Sequence, residues 1–223
     1  MQKLISGKTK DVFLQADNRL LLVFKDAVTG AAGQIDPGAN EVIGELAGKG
    51  QGSLSLSIHF FKLLERQGLP THYVQAGPEP NTMVVKKAQS FELEVICRER
   101  AYGSFVRRYG KWVQQGTPLP SLVEFTLKDD ERGDPLVSED TLAALNILPL
   151  KDSTIIKKKA QQATAIIKAE LAATGLELLD IKYEFGQVEN KIVIIDEISG
   201  DTMRVMKDSR VLRPDEVCGA VLA

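Results

Sequence analysis

Apolar residues in the first half of this chain fall into short runs broken by charge and glycine, whereas the second half opens on a helical rhythm and closes on paired runs. Leu20 to Phe24 reads LLLVF, a short apolar run ending in charge, which predicts a buried strand rather than a helix. Met83 to Val85, Phe91 to Cys97 and Phe125 to Leu127 are rich in Val, Ile and Phe and predict further strands. Between them Leu54, Ile58, Phe61 and Leu64 recur at spacings of four and three, with Gly68 beyond, so Ser53 to Gln67 reads as an amphipathic helix carrying His59. The stretch from Gly30 to Gly52 holds seven glycines and a proline, a composition that predicts mostly loop.

In the second half Ile156, Ala160, Ala163, Ile167 and Leu171 repeat at four, three, four and four, with Ser153 as the expected N-cap and Gly175 just past the end. Leu178 to Phe185 and Ile192 to Ile195 follow as two apolar strands around the polar turn Gly186 to Lys191, a hairpin signature. Strands, then a helix, then a hairpin favour an α+β arrangement over a regularly alternating parallel sheet.

With 43% hydrophobic and 26% charged residues in 223, the chain has ample material for a core, which excludes disorder, collagen and coiled coil. Lys plus Arg at 28 against Asp plus Glu at 30 gives a formal charge of −2, too balanced for coating nucleic acid or an anionic membrane, so any basic site is local. The two cysteines, Cys97 and Cys218, cannot build a disulfide framework or a four-thiolate zinc site. With neither a signal-peptide pattern at the start nor a window approaching the roughly 20 apolar residues that span a bilayer, a cytoplasmic protein is expected. His59 and His72 have no partner at ligand or triad spacing, leaving chemistry to carboxylates, lysines and arginines.

The hairpin is the most informative segment. Asp180, Lys182 and Glu184 alternate at period two and project from one strand face, and Asp196 and Glu197 end the returning strand, where their carboxylates can meet those of the first. Converging carboxylates without His or Cys suit a hard cation, and beside ATP that cation is Mg²⁺ held by one or two carboxylates and phosphate oxygens. A solvated strand face with Lys182 paired to its acidic neighbours fits the pattern equally well. Ser6-Gly7-Lys8-Thr9-Lys10 places a glycine and two lysines where a phosphate could be met, although an ordinary charged hairpin turn reads the same way. Lys86 and Lys87 end a strand, within reach of nucleotide phosphates or simply of solvent. The lysine triple Lys157 to Lys159 reads as a solvated helix face. Arg98, Arg100, Arg107 and Arg108 cluster around Tyr102-Gly103-Ser104, a set suited to bidentate binding of a small phosphate or carboxylate. Lys128-Asp129-Asp130 and Gly133-Asp134-Pro135 add carboxylates on a turn.

Taken in order, these segments resemble the SAICAR synthetase family, the phosphoribosylaminoimidazole-succinocarboxamide synthases of purine biosynthesis. Asp180-Ile181-Lys182-Tyr183-Glu184-Phe185-Gly186 followed by Asp196-Glu197-Ile198-Ser199-Gly200-Asp201-Thr202-Met203-Arg204 carries most of the likeness. Ser6 to Lys10, Val84 to Lys87, Glu94 to Arg98, Ala101 to Ser104, Lys128 to Asp130 and Asp134-Pro135 extend it over nearly the whole chain.

The resemblance implies a two-lobed α+β fold related to protein kinases, with residues 1–88 as a sheet-rich ATP-binding lobe, residues 89–223 as the substrate and metal lobe, and ATP in the cleft between. It implies a ligase that activates an aminoimidazole ribonucleotide carboxylate as an acyl phosphate and lets the amine of L-aspartate displace phosphate. Such chemistry rests on positioning and charge neutralisation. By the same resemblance Gly7, Lys8, Lys10 and Lys86 meet ATP phosphates and Glu94 lies near the adenine edge. Arg98, Ser104 and Arg204 hold the substrate's anionic groups, with Lys128 and Asp134 beside them. Glu184 and Asp196 ligate Mg²⁺, Glu184 also lining the ATP site. Lys182 neutralises developing charge, Asp180 orients the amine or substrate, and Asp201 contacts imidazole or ribose. The partners implied are small molecules and a second copy in a homodimer, not nucleic acid or membrane. Glu99, Tyr102 and Gly200 depart from the family pattern and admit a paralogous ligase acting on another azole carboxylate; a small-molecule kinase and a non-catalytic nucleotide-binding protein are the readings from other classes.

Overall fold

A computed structural model describes residues 1–31, 33–37 and 39–223. The chain begins with an antiparallel meander, β1 (Gln2–Ser6), β2 (Lys10–Leu14) and β3 (Arg19–Phe24). Next, β4 (Ala27–Ala31), β5 (Gln34–Ile35) and β6 (Glu41–Glu45) form a small separate sheet in the order β5-β4-β6. The glycine-rich stretch is therefore largely ordered strand and helix start, against the expectation of loop; Ala32 and Gly38 within it lie outside the described residues. Helix α1 (Lys49–Arg66) follows, and β7 (Tyr73–Ala76) and β8 (Thr82–Lys86) complete the first sheet in the order β1-β2-β3-β8-β7.

α1 starts four residues before Ser53 because a remote carboxylate caps it. Asp26 accepts the Gly48 and Gly50 backbone N–H groups at 3.0 and 2.9 Å, satisfying donors that a helix start leaves open. Those two bonds hold the Asp26 pKa below the usual carboxylate value. Leu54, Phe60, Phe61 and Leu64 then face the core.

The rest of the chain supplies β9 (Gln89–Arg100), α2 (Ser104–Tyr109), β10 (Pro118–Leu127), β11 (Leu136–Val137), α3 (Glu139–Ala144) and α4 (Leu150–Ala173). It ends with β12 (Glu177–Val188), β13 (Lys191–Ile195), β14 (Met203–Lys207), β15 (Arg210–Val211) and α5 (Pro214–Leu222). Its sheet runs β11-β10-β9-β12-β14-β15, with β13 paired to β12. Ser153 is not the N-cap of α4, which begins after Pro149; the Ser153 hydroxyl instead donates to Leu150 O at 2.9 Å inside the first turn. The hairpin turn is tighter than the polar stretch suggested, because Glu189 and Asn190 both take positive φ (47° and 64°), the geometry of a two-residue connection matched to strand twist.

Alternation along this sheet separates two chemistries. Val95, Cys97, Phe125, Ile181, Tyr183 and Val205 are all buried, and Ile156, Ala160, Ala163, Ile167 and Leu171 of α4 join them in the core. Each buried large aliphatic contributes about 1.5 to 3 kcal/mol by leaving water. Thr164 and Tyr183 exchange a hydroxyl hydrogen bond of 3.0 Å within this layer. The alternate residues point the other way. The pairing register sets Glu94 opposite Glu184, Arg98 opposite Asp180, and Asp180 opposite Arg204, so titratable side chains line one face. No described helix is long and apolar enough to cross a membrane.

Candidate active site

The polar face opens into two adjoining cavities of about 530 and 400 Å³. The first is walled by the β1–β2 turn, the end of β8 and the β12–β13 hairpin; the second by α2, the small β4-β5-β6 sheet and the start of β14. Glu94, Lys182 and Asp134 line both.

In the first cavity Gly7, Lys8 and Lys10 come from the β1–β2 turn, which closes through Gly7 N–H to Lys10 O at 2.9 Å. Lys10 reaches across to Glu197 and to Asp196 Oδ1 at 3.2 Å. Burial alone would lower the Lys10 pKa, but Asp196 and Glu197 outweigh it and raise it, so the ammonium stays charged. Lys8 donates to Asp130 at 2.9 Å and Asn40 at 3.1 Å, and Lys86 lies exposed at the strand end.

Asp196 follows β13 with φ 69°, a conformation side-chain-bearing residues rarely adopt. His72, a residue without a sequence partner, anchors that bend. Its Nε2 lies 3.1 Å from the Asp196 carbonyl and must be the donor there. Burial pushes the His72 pKa down to about 4, so the ring is neutral and serves as a structural donor. Burial and the neighbouring Asp196 push Glu184 up to about 7, despite Lys128 at 2.7 Å. Burial would likewise raise Asp196, yet Lys10, Lys128 and Lys182 hold it below its usual value. Two half-buried carboxylates that repel each other fit a divalent cation completed by phosphate oxygens. Among the described residues no cluster of three or more His, Cys, Asp or Glu side chains placed to hold a metal ion occurs.

In the second cavity arginines and carboxylates clamp one another. Arg98, about 1% exposed, donates from Nε to Glu124 at 2.6 Å, from Nη1 to Asp180 at 3.0 Å and from Nη2 to Ser104 at 3.0 Å. Arg204 grips both Asp180 oxygens at 2.9 Å and also donates to Asp36 and to the Pro37 carbonyl. Asp180 is thus the pivot between two arginines, Oδ2 accepting from both and Oδ1 from Arg204 alone. Gly103 precedes α2 with φ 50°, and a Cβ there would lie 2.8 Å from Arg204 Nη2. Gly103→Ala is expected to push Arg204 out of the clamp and raise KM for an anionic substrate several-fold, on the order of 1 kcal/mol of lost charge-assisted contact. Steady-state kinetics reads this, and an unchanged KM would remove Arg204 from the site.

At the border between cavities Lys182 pairs with Glu94 at 2.5 Å, and Thr126 donates to the other Glu94 oxygen at 3.3 Å. Burial would lower the Lys182 pKa, but Glu94 raises it, keeping the ammonium charged. Glu94 therefore sits at the junction as the partner of Lys182. Lys128 lines the first cavity, on Glu184, while Asp134 accepts from Asn40 at 2.7 Å. Of the arginine cluster, Arg107 and Arg108 line the clamp, and Arg100 turns away to Glu177.

Asp201 closes the inner wall. Its Oδ2 accepts Lys49 Nζ at 2.7 Å and Ser53 Oγ at 2.9 Å. Lys49, about 1% exposed, was invisible to sequence reasoning, as were Asp36 and Asn40. All three fall in the glycine-rich stretch expected to be loop, where a lysine set between glycines is the one local oddity. Two of the three departures from the family pattern lie off the site. Glu99 is buried on the α4 side, taking Ser121 and Lys168, and Gly200 is held against Pro214, whose carbonyl would lie 2.4 Å from an added Cβ.

This fold is shared with known proteins. The SAICAR synthetase family model matches residues 3–216. The phosphoribosylaminoimidazole-succinocarboxamide synthase of Clostridium tetani is 48% identical over 96% of this chain and 96% of its own length. A solved SAICAR synthetase (type 2) in complex with ADP superposes with TM-score 0.84 at 33% identity, covering 96% of this chain and 88% of that one. The phosphoribosylaminoimidazole-succinocarboxamide synthase of Ehrlichia chaffeensis superposes with TM-score 0.86 at 28% identity, covering 97% and 90%. The chain belongs to the SAICAR synthetase family.

Proposed function

We propose that this protein is an ATP-dependent ligase joining carboxyaminoimidazole ribonucleotide to L-aspartate, yielding SAICAR, ADP and phosphate in purine biosynthesis. The observation that carries this reading is the pair of adjoining cavities, one lysine- and carboxylate-lined and one arginine-lined, meeting at Lys182. A nucleotide and a phosphorylated carboxylate placed there would bring their reacting ends together at that ammonium.

In this reading residues 1–88 form an ATP-binding lobe and residues 89–223 a substrate lobe, arranged like the lobes of a protein kinase around an ATP cleft. Gly7, Lys8, Lys10 and Lys86 lie over the phosphates. Glu184 and Asp196 would hold Mg²⁺, which supplies charge neutralisation for the transferring phosphoryl group. Arg204, Ser104 and Arg98 receive the substrate's anionic groups, with Asp180 fixing both arginines. The carboxylate oxygen bonds to the γ-phosphorus as the bond to ADP breaks, giving an acyl phosphate. The amine nitrogen then bonds to the acyl carbon as the carbon–oxygen bond to phosphate breaks, and the proton that the nitrogen loses leaves with the phosphate. Lys182 neutralises charge at that junction in both steps. A cytoplasmic homodimer completes the proposal.

The pH dependence follows from Glu184. Its pKa in the fold, about 7, stands above its ordinary 4.5, so protonated Glu184 costs the fold nothing below 4.5 and stability falls as pH rises through 7. A bound divalent cation relieves that ionised carboxylate, so Mg²⁺ with ADP should raise Tm more at about pH 8 than at about pH 6. Equal shifts at both pH values, read by thermal denaturation, would remove Glu184 from the metal site.

The test of the function is ADP release from purified protein with Mg·ATP, carboxyaminoimidazole ribonucleotide and L-aspartate, each omitted in turn, with the product identified by mass spectrometry. Release that needs all three and yields SAICAR is expected. ADP formed without the amine, together with a phosphorylated hydroxyl product, would replace the ligase with a small-molecule kinase.

A further inference from the structure

Among the described residues a single buried side-chain polar atom lacks a hydrogen-bond partner, Asp201 Oδ1. Asp201 is about 5% exposed and lines the first cavity beside Thr202, which lines both cavities. The other buried carboxylates on these walls are committed. Asp180 is shared between Arg98 and Arg204, and Glu197 takes Lys10 and Thr9 on one oxygen and Ser199 on the other. A buried acceptor kept empty is costly, and it is tolerated where a ligand completes it. The other oxygen is fixed by Lys49 and Ser53, so the carboxylate is held in place before any ligand arrives.

We propose that Asp201 Oδ1 accepts an N–H of the incoming amine of the amino-acid co-substrate, with Lys49 and Ser53 as positioning residues that hold the carboxylate. The assignment rests on the ligase reading above. A cationic donor suits this place because Asp201 stands in the field of a second carboxylate, Glu197, and burial together with Glu197 raises its pKa.

The test compares Asp201→Asn and the milder Ser53→Ala with the wild type, which must first show aspartate-dependent ADP release; its absence would overturn the ligase reading and this assignment together. For Asp201→Asn, KM for L-aspartate should rise on the order of tenfold or more, as expected for a lost charge-assisted hydrogen bond. KM for Mg·ATP and for the ribonucleotide should stay near wild type. Succinate keeps both carboxylates of aspartate and lacks the amine, so its inhibition constant should not move. Ser53→Ala should shift aspartate KM in the same direction by a smaller factor, and it carries the test if Asp201→Asn fails to fold. Unchanged aspartate KM in the folded variants would overturn the assignment. So would a selective rise in ribonucleotide KM, which would give Oδ1 a ribose hydroxyl instead.

Discussion

Asp196→Asn should lower kcat on the order of a hundred- to a thousandfold while leaving the fold intact, the loss typical when one preorganised charge at a reacting centre is removed. The amide keeps the shape of the carboxylate, and Lys10 keeps Glu197 as its partner, so the β1–β2 turn stays docked. What disappears is half of the carboxylate pair proposed to hold Mg²⁺, together with the repulsion that adds to burial in raising the Glu184 pKa. Glu184→Gln should behave alike, because Lys128 retains an acceptor at that position. Stopped-time assays at low and high Mg²⁺ read the effect. A near-normal rate in either variant at low Mg²⁺ would show that the metal sits elsewhere.

Arg98→Met should cost about 3 to 5 kcal/mol of stability, because removing one partner of a buried ion pair strands the other charges. For a chain of this size that corresponds to a fall in Tm of roughly 6 to 20 °C. The lower end is expected, since Glu124 retains Arg108 at 2.7 Å and Asp180 retains Arg204. The sequence marks Arg98 as an anion ligand alone. Its place in the sheet makes it also the tie between β9, β10 and β12, through Glu124 and Asp180. A Tm within about 2 °C of wild type would contradict that.

Much of this was legible in the residues. Period-two alternation of Asp180, Lys182 and Glu184 gave one charged face and one apolar face, and the apolar rhythm from Ile156 to Leu171 located α4. Short-range pattern failed where distant groups decide. Asp26 starts α1 from more than twenty residues upstream, and Asp36 and Asn40 are ordered by Arg204, Lys8 and Asp134 rather than by their neighbours. Pairing register was equally hidden, and it is register that sets Asp180 between Arg98 and Arg204. Lys49 could be noticed only as a lysine in a glycine-rich run; its role needs Asp201, 152 residues away.

The central claim is that the carboxylate in the arginine-lined cavity attacks the nucleotide in the other, with phosphate then leaving to the amine. Turnover of the ribonucleotide labelled with ¹⁸O in its carboxylate tests this directly. The account predicts that the inorganic phosphate released carries one labelled oxygen from the carboxylate for each amide formed. Unlabelled phosphate accompanying amide formation, with the lost label found in water, would contradict it.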